Sequence, residues 1–167
     1  MALNRDKVGT EYPPYTYEVS REKIREYAQA LGESDPRYFS DGDDCVAPPT
    51  FAAAFTVIKG GAAAFSDPDL GVHPALVHGS QRYVFGDRPV VPCDTLTCTP
   101  RIADIQVRGR NELMTVEVDC RFEDGGLAVR SEAVIIFLGS APAADAGGDG
   151  SAPAADAGGS VPTGEVA

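Results

Sequence analysis

Residues 32–39 read GESDPRYF, placing two carboxylates, an arginine and two aromatic rings in one short stretch. Here Glu33 or Asp35 could accept a proton and Tyr38 could donate one. General acid/base work needs matched pKa values and approach to one substrate, and a tyrosine titrating near 10 is a weak base. The stretch has no histidine. A structural reading stands beside the chemical one: Asp35 caps the turn, Glu33 is solvated and the Tyr38 ring packs. His78, in LVHGSQRYVF beside Gly79, is the second candidate, set against a satisfied structural histidine. His73 precedes Pro74 and reads as loop surface. The two histidines lack a nearby carboxylate cluster, so no metal is expected. Ser80 lies near His78 but has neither a nucleophile elbow nor a third triad member.

APPTF at 47–51 reads as a helix start. Amides there, helped by the helix dipole, can stabilise a polarised carbonyl oxygen. Pro48 and Pro49 have no N–H, so any donor comes from Thr50 onward. No glycine-rich phosphate loop is present, and no nucleotide is expected.

The elements that must position these groups follow from periodicity. YTYEV at 15–19 predicts a strand. Ser20 can then cap a helix whose apolar stripe is Ile24, Tyr27, Ala28 and Leu31. Gly32 sits where that helix ends, and Pro36 prevents its continuation. The GESDPRYF side chains are therefore held by a turn. A second helix is predicted over 51–65, started by Pro49 and Thr50, with Phe51, Phe55 and Ile58 as spaced bulk. Gly60-Gly61 marks its weakest point. Strands follow at 76–85, 95–108, 113–122 and 127–138. Met114, Val116, Val118, Cys120 and Phe122 share one face, with Thr115, Glu117, Asp119 and Arg121 opposite. EDGG at 123–126 reads as a hairpin turn. The fold class is α+β with an antiparallel sheet.

The 167 residues suffice for one core. Residues 1–139 are the expected domain. Residues 140–167, in which SAPAADAGG occurs twice, are expected to be disordered for lack of apolar area. Net charge is −11, and −7 without the four acidic tail residues; such a balance argues against nucleic acid. No apolar run is long enough for a membrane span. MALNRDKVGTEYPP has no signal-peptide pattern. Cys45, Cys93, Cys98 and Cys120 show no paired-ligand spacing and are expected as free thiols, which places the protein in the cytoplasm.

REKIREYAQALGESDPRYF, APPTF and VHGSQRYVFGDRPVVPCDTL, taken in order, resemble the MaoC-like hot-dog hydratases and dehydratases over residues 1–139. Within that family they are most similar to the A- and C-type subunits of actinobacterial (R)-3-hydroxyacyl-ACP dehydratases. The resemblance implies a curved antiparallel sheet wrapped around a central helix, with two such domains side by side and an acyl tunnel near their interface. Active members carry glycine–aspartate–x–asparagine–proline–x–histidine, whose aspartate and histidine act through water across a double bond. GESDPRY aligns without a gap. Gly32 and Pro36 are retained, while Glu33, Asp35 and Tyr38 take the aspartate, asparagine and histidine positions. Losing the histidine removes the side chain best poised near neutral pH.

APPTF also lacks the glycine that supplies an amide to the thioester oxygen in active members. Asp94 matches the aspartate of a glycine–aspartate pair, with Cys93 in place of the glycine. The resemblance thus implies a non-catalytic, acyl-chain-binding subunit of a heteromeric dehydratase, paired with a catalytic MaoC-like subunit as a heterodimer or dimer of dimers. Gly32, Asp35 and Pro36 would keep a structural part. Pro49, Thr50, Phe51, Phe55 and Ile58 are the substrate-binding candidates, as tunnel or core walls. The alternatives are an independently active hydratase using Glu33, Tyr38 or His78, and an acyl-binding or regulatory homodimer. Either way the substrate is an acyl thioester of acyl carrier protein or CoA, without a further cofactor.

Overall fold

The computed structural model describes residues 2–141. The expected disordered tail lies outside the described residues from 142 onward. Ser140 is buried, its hydroxyl donating to the Phe137 carbonyl at 3.1 Å, and the Ala141 amide donates to the Arg110 carbonyl at 3.2 Å. The described chain therefore runs just beyond the boundary expected at 139.

The first helix, α1 (Arg21–Leu31), begins where expected: the Ser20 hydroxyl accepts from the Lys23 amide at 3.0 Å. It ends at Gly32, whose φ of 72° is the left-handed conformation that glycine adopts without a Cβ penalty. Ile24 and Ala28 are buried, but Leu31 is 51% exposed, so the apolar stripe stops one turn earlier than its spacing implies.

Five antiparallel strands, β1 (Tyr15–Glu18), β2 (Leu76–Phe85), β3 (Thr95–Arg108), β4 (Asn111–Arg121) and β5 (Leu127–Phe137), lie in the order β1-β3-β4-β5-β2. The EDGG turn joins β4 to β5: the Phe122 amide donates to the Gly126 carbonyl, and Gly125 takes φ 85°. Met114, Val116, Val118 and Cys120 of β4 are buried as their alternation requires. Glu117, on the expected polar face, is also buried. It is covered because Arg101 donates to it at 2.8 Å and Arg130 lies 3.7 Å away.

The central helix is less regular than predicted. A 3-10 turn over Pro49–Ala52 leads into α2 (Ala53–Thr56), and α3 runs over Ile58–Phe65. The interruption falls at Val57 rather than at Gly60-Gly61. Beside it, the Tyr15 hydroxyl of β1 donates to the Phe55 carbonyl, and burial pushes that hydroxyl's pKa up. Thr50 is not the cap either, since no side chain caps this start and Pro49 holds the first position. Gly60 faces β4: a Cβ there would sit 2.5 Å from Val118 Cγ2. Glycine is what lets the helix lie this close to the sheet.

β2 is an outer strand, and a bulge at Gly79 divides it. His78 pairs with Ile135 and Ser80 with Val134, so the inward positions change from even to odd numbers. A Cβ at Gly79 would meet Ile136 Cδ1 at 2.8 Å.

Replacing Gly60 by alanine forces the added methyl into Val118, with an expected loss of about 1–3 kcal/mol from overpacking. Thermal melts of Gly60→Ala, Val118→Ala and the double variant test this. The double variant should lose much less than the two single losses together; additive losses would show that the helix and β4 do not meet at this pair.

Candidate functional site

GESDPRYF is built as a strapped turn. Asp35 Oδ1 accepts from the Arg37 amide at 3.0 Å, capping a 3-10 turn over Pro36–Phe39, and Asp35 Oδ2 accepts from the Arg37 guanidinium at 2.7 Å. From α1, Arg21 donates to the carbonyls of Ser40 and Gly42 at 2.7 and 3.0 Å, and Arg25 donates to Asp41 at 2.7 Å. The two arginines lie one helical turn apart, so one face of α1 holds the segment that follows the motif. The Arg37 side-chain hydrogen bond holds the Asp35 carboxyl below its ordinary value, with the Arg37 amide second. Asp35 and Pro36 thus do structural work, as does Gly32 at the end of α1. Glu33 is exposed, and its amide is taken up by the Ala28 carbonyl. Tyr38 is half-buried.

Two apolar cavities lie in series along the central helix and β5. The first, about 250 Å³, is walled by Pro49, Phe51, Ala52, Phe55 and Val129 and by the loop running from Phe85 to Val90. Phe51 and Phe55 are fully buried core residues as well as cavity walls. Tyr27 stands edge-on to Phe51 with ring centroids 5.4 Å apart, and its hydroxyl donates to the Thr50 carbonyl at 2.7 Å. Thr50 itself is exposed and does not line the cavity. The Phe51 amide is already committed to the Pro48 carbonyl at 2.9 Å, which leaves Thr50 as the first amide at this helix start. The side chain of Ile58 lies outside what the structure describes.

Arg88, which lines this cavity, donates to both Asp94 oxygens at 2.8 and 3.0 Å and lies 3.4 Å from the centroid of the Phe122 ring. Asp94 also accepts from the Val91 amide at 2.8 Å. One carboxylate thereby fixes both the arginine and the loop. Cys93, at the position where the resemblance expects glycine, has a φ of 70° and is the one non-glycine in the left-handed region among the described residues.

The second cavity, about 210 Å³, lies between α3 and the strands β4, β5 and β2. His78 is on its wall with Thr56, Gly61, Phe65, Ser131 and Ile135. The sequence brought forward His78 but not Ser131 or Thr56, which are buried hydroxyls in otherwise apolar runs. Their signal was a polar residue at an inward position of a strand or helix. Of the acid/base candidates, only His78 borders a cavity; Glu33 and Tyr38 line neither. His73 packs edge-on against Phe137 at 5.3 Å rather than lying on loop surface. All four cysteines are free, and Cys45, Cys98 and Cys120 are buried. The Cys120 thiol pKa is pushed up, first by its hydrogen bond with Cys98 and then by burial. Among the described residues no group of side chains could hold a metal ion, and no helix is long and apolar enough to cross a membrane.

Residues 6–130 match the family described as FAS1-like, dehydratase domain region. A UPF0336 protein of Thermobifida fusca is 36% identical over 152 residues, spanning 86% of this chain and 99% of the relative. Among solved structures, the C-terminally truncated HadBC (3R-hydroxyacyl-ACP dehydratase) complex from Mycobacterium tuberculosis superposes with a TM-score of 0.62. The identity is 28%, over 75% of this chain and 92% of that one. A MaoC-like dehydratase gives a TM-score of 0.68 at 22% identity, over 79% of this chain and 42% of the other, a likeness of fold. The expected hot-dog architecture, a sheet packed around one central helix, is the fold of this chain.

Arg37→Met should let the Asp35 carboxyl return toward its ordinary value of 3.8. With its folded pKa lowered, Asp35 contributes stability that is complete above that ordinary value and is lost as pH falls through the lowered one. An NMR carboxyl titration of both proteins checks this. An Asp35 titration that does not move in the variant would mean that Arg37 is not the partner.

Proposed function

Because the chain belongs to the FAS1-like dehydratase-region family, we propose that it is a non-catalytic, acyl-chain-binding subunit of a heteromeric (R)-3-hydroxyacyl-thioester dehydratase or enoyl hydratase. The observation that carries this reading is the separation of two features that an active subunit needs together. The helix-side apolar cavities are present, whereas the segment aligned with the catalytic pattern is an arginine-strapped turn. Its Glu33 is exposed, and Tyr38 stands in the histidine position. A lone carboxylate in water and a tyrosine cannot share a proton between them near neutral pH as a carboxylate and an imidazole do.

A missing acid/base pair is then supplied by a partner, a MaoC-like subunit with the intact aspartate–histidine pattern. The surface for it is β2. That outer strand exposes Val77, Val84 and Phe85, and the adjoining central helix exposes Val57 and Phe65. An unpaired strand edge flanked by apolar side chains favours pairing with a second sheet, and a dehydratase complex is the context of the HadBC likeness. Acyl carrier protein or CoA delivers the substrate. The second reading, an independently active hydratase, is favoured by one observation: His78 does line a cavity.

Hydration of a short- and a long-chain enoyl-CoA by the purified chain, by an intact MaoC-like subunit of the same genome, and by the two together separates these readings. The chain alone should be inactive and should extend the partner's activity to longer chains. Turnover by the chain alone that disappears in His78→Ala would establish the second reading instead.

A further inference from the structure

The second cavity contains a hydrogen-bonding arrangement that a plain hydrocarbon chain would leave unused. Its walls are mostly apolar, formed by Val57, Phe65, Leu76, Val116, Val118 and Ile135. Into this surface β5 places Ser131, only 2% exposed. The Gly79 bulge turns Gln81 to the same side as His78, opposite Ala133 on the cavity wall. Gln81 Nε2 donates to Ser131 Oγ at 2.8 Å and to the Glu132 carbonyl at 3.2 Å.

The carbonyl fixes which end of the amide is nitrogen, because an amide oxygen facing it could make no hydrogen bond. Two consequences follow. Gln81 Oε1 is left as a buried acceptor without a partner among the described residues. Ser131, having accepted from Gln81, keeps its own O–H, and that proton meets no acceptor among the described residues. Thr56 differs, since its hydroxyl is spent on the Ala52 carbonyl at 2.8 Å. Nor is His78 equivalent, because its Nε2 is engaged by the Ser80 carbonyl at 3.0 Å. The Ser131 donor is thus left unsatisfied on the wall of an apolar cavity, with the Gln81 acceptor buried away from its lining, and leaving such groups unpaired is costly.

We propose that this cavity selects an acyl chain bearing a hydroxyl group remote from the thioester, the substituent accepting from the Ser131 O–H that Gln81 orients. A hydroxyl satisfies the Ser131 donor; a methylene does not. Remoteness follows from the helix. If the thioester sits at the helix start near Phe51, Gly61 on the second cavity is ten positions further along, about 15 Å at the helical rise. The inference rests on the acyl-binding reading above and adds the class of acyl chain.

The test is isothermal titration of the full chain with dodecanoyl-CoA and with its mid-chain hydroxy and ω-hydroxy counterparts. At least one hydroxy chain should bind about tenfold tighter than the plain chain, the scale expected when a ligand leaves a buried donor unsatisfied. Ser131→Ala should abolish most of that preference, and a preference that survives the substitution would overturn the assignment to Ser131. If dodecanoyl-CoA binds the unmodified chain as tightly as both hydroxy chains, the selectivity is overturned and acyl binding stands. If none of the three binds, acyl binding itself fails, and this inference with it.

Discussion

The close approach of the central helix to β4 is the constraint on which the other features depend. Where Gly60 meets Val118 there is no room for even a methyl group. From β1, Tyr15 reaches the same helix and donates to the Phe55 carbonyl next to the Val57 interruption. Pinned at those two places, the helix leaves space on its other flanks. One cavity forms against the Phe85–Val90 loop and another against the bulged part of β2. A helix held further from the sheet would lose the packing contacts that make each cavity a defined shape.

Around that frame the charged residues fasten loops rather than create a reactive centre. Asp94 holds Arg88 and the Val91 amide, and Arg88 lies on Phe122. Asp35 pairs with Arg37, while Arg21 and Arg25 fasten the segment that follows. These are exposed or partly exposed pairs, individually worth little, but each is bidentate or shared with backbone groups. They make the motif turn and the loop beside the first cavity well defined.

Much of the architecture was legible because strand and helix periods differ. β2 and β3 fall on the predicted boundaries, and β5 ends one residue short of its own. Ser20 and Gly32 mark the ends of α1 through local hydrogen bonding and glycine geometry, which need no tertiary partner. Where local rules misled, a long-range contact had overridden them. Leu31 has helical spacing but nothing to cover it, and Glu117 is buried only because two arginines from neighbouring strands reach it. Gly60-Gly61 looks like a weak point in a helix, yet tight packing on the sheet keeps the helix continuous there.

By itself the sequence determined the fold class, the strands to within two residues at their ends and the altered motif, since each is encoded in residue types a few positions apart. The Asp35 cap and the lack of a histidine in GESDPRYF are likewise local facts. Tertiary structure alone decided which candidates border a cavity. Pro49, Phe51 and Phe55 do, as does His78; Thr50, Glu33 and Tyr38 do not. It also decided that Ser131 and Gln81 meet, although 50 positions separate them. That meeting depends on the pairing of β2 with β5 and on one extra residue at Gly79, which changes the side of the sheet to which every later side chain of the strand points.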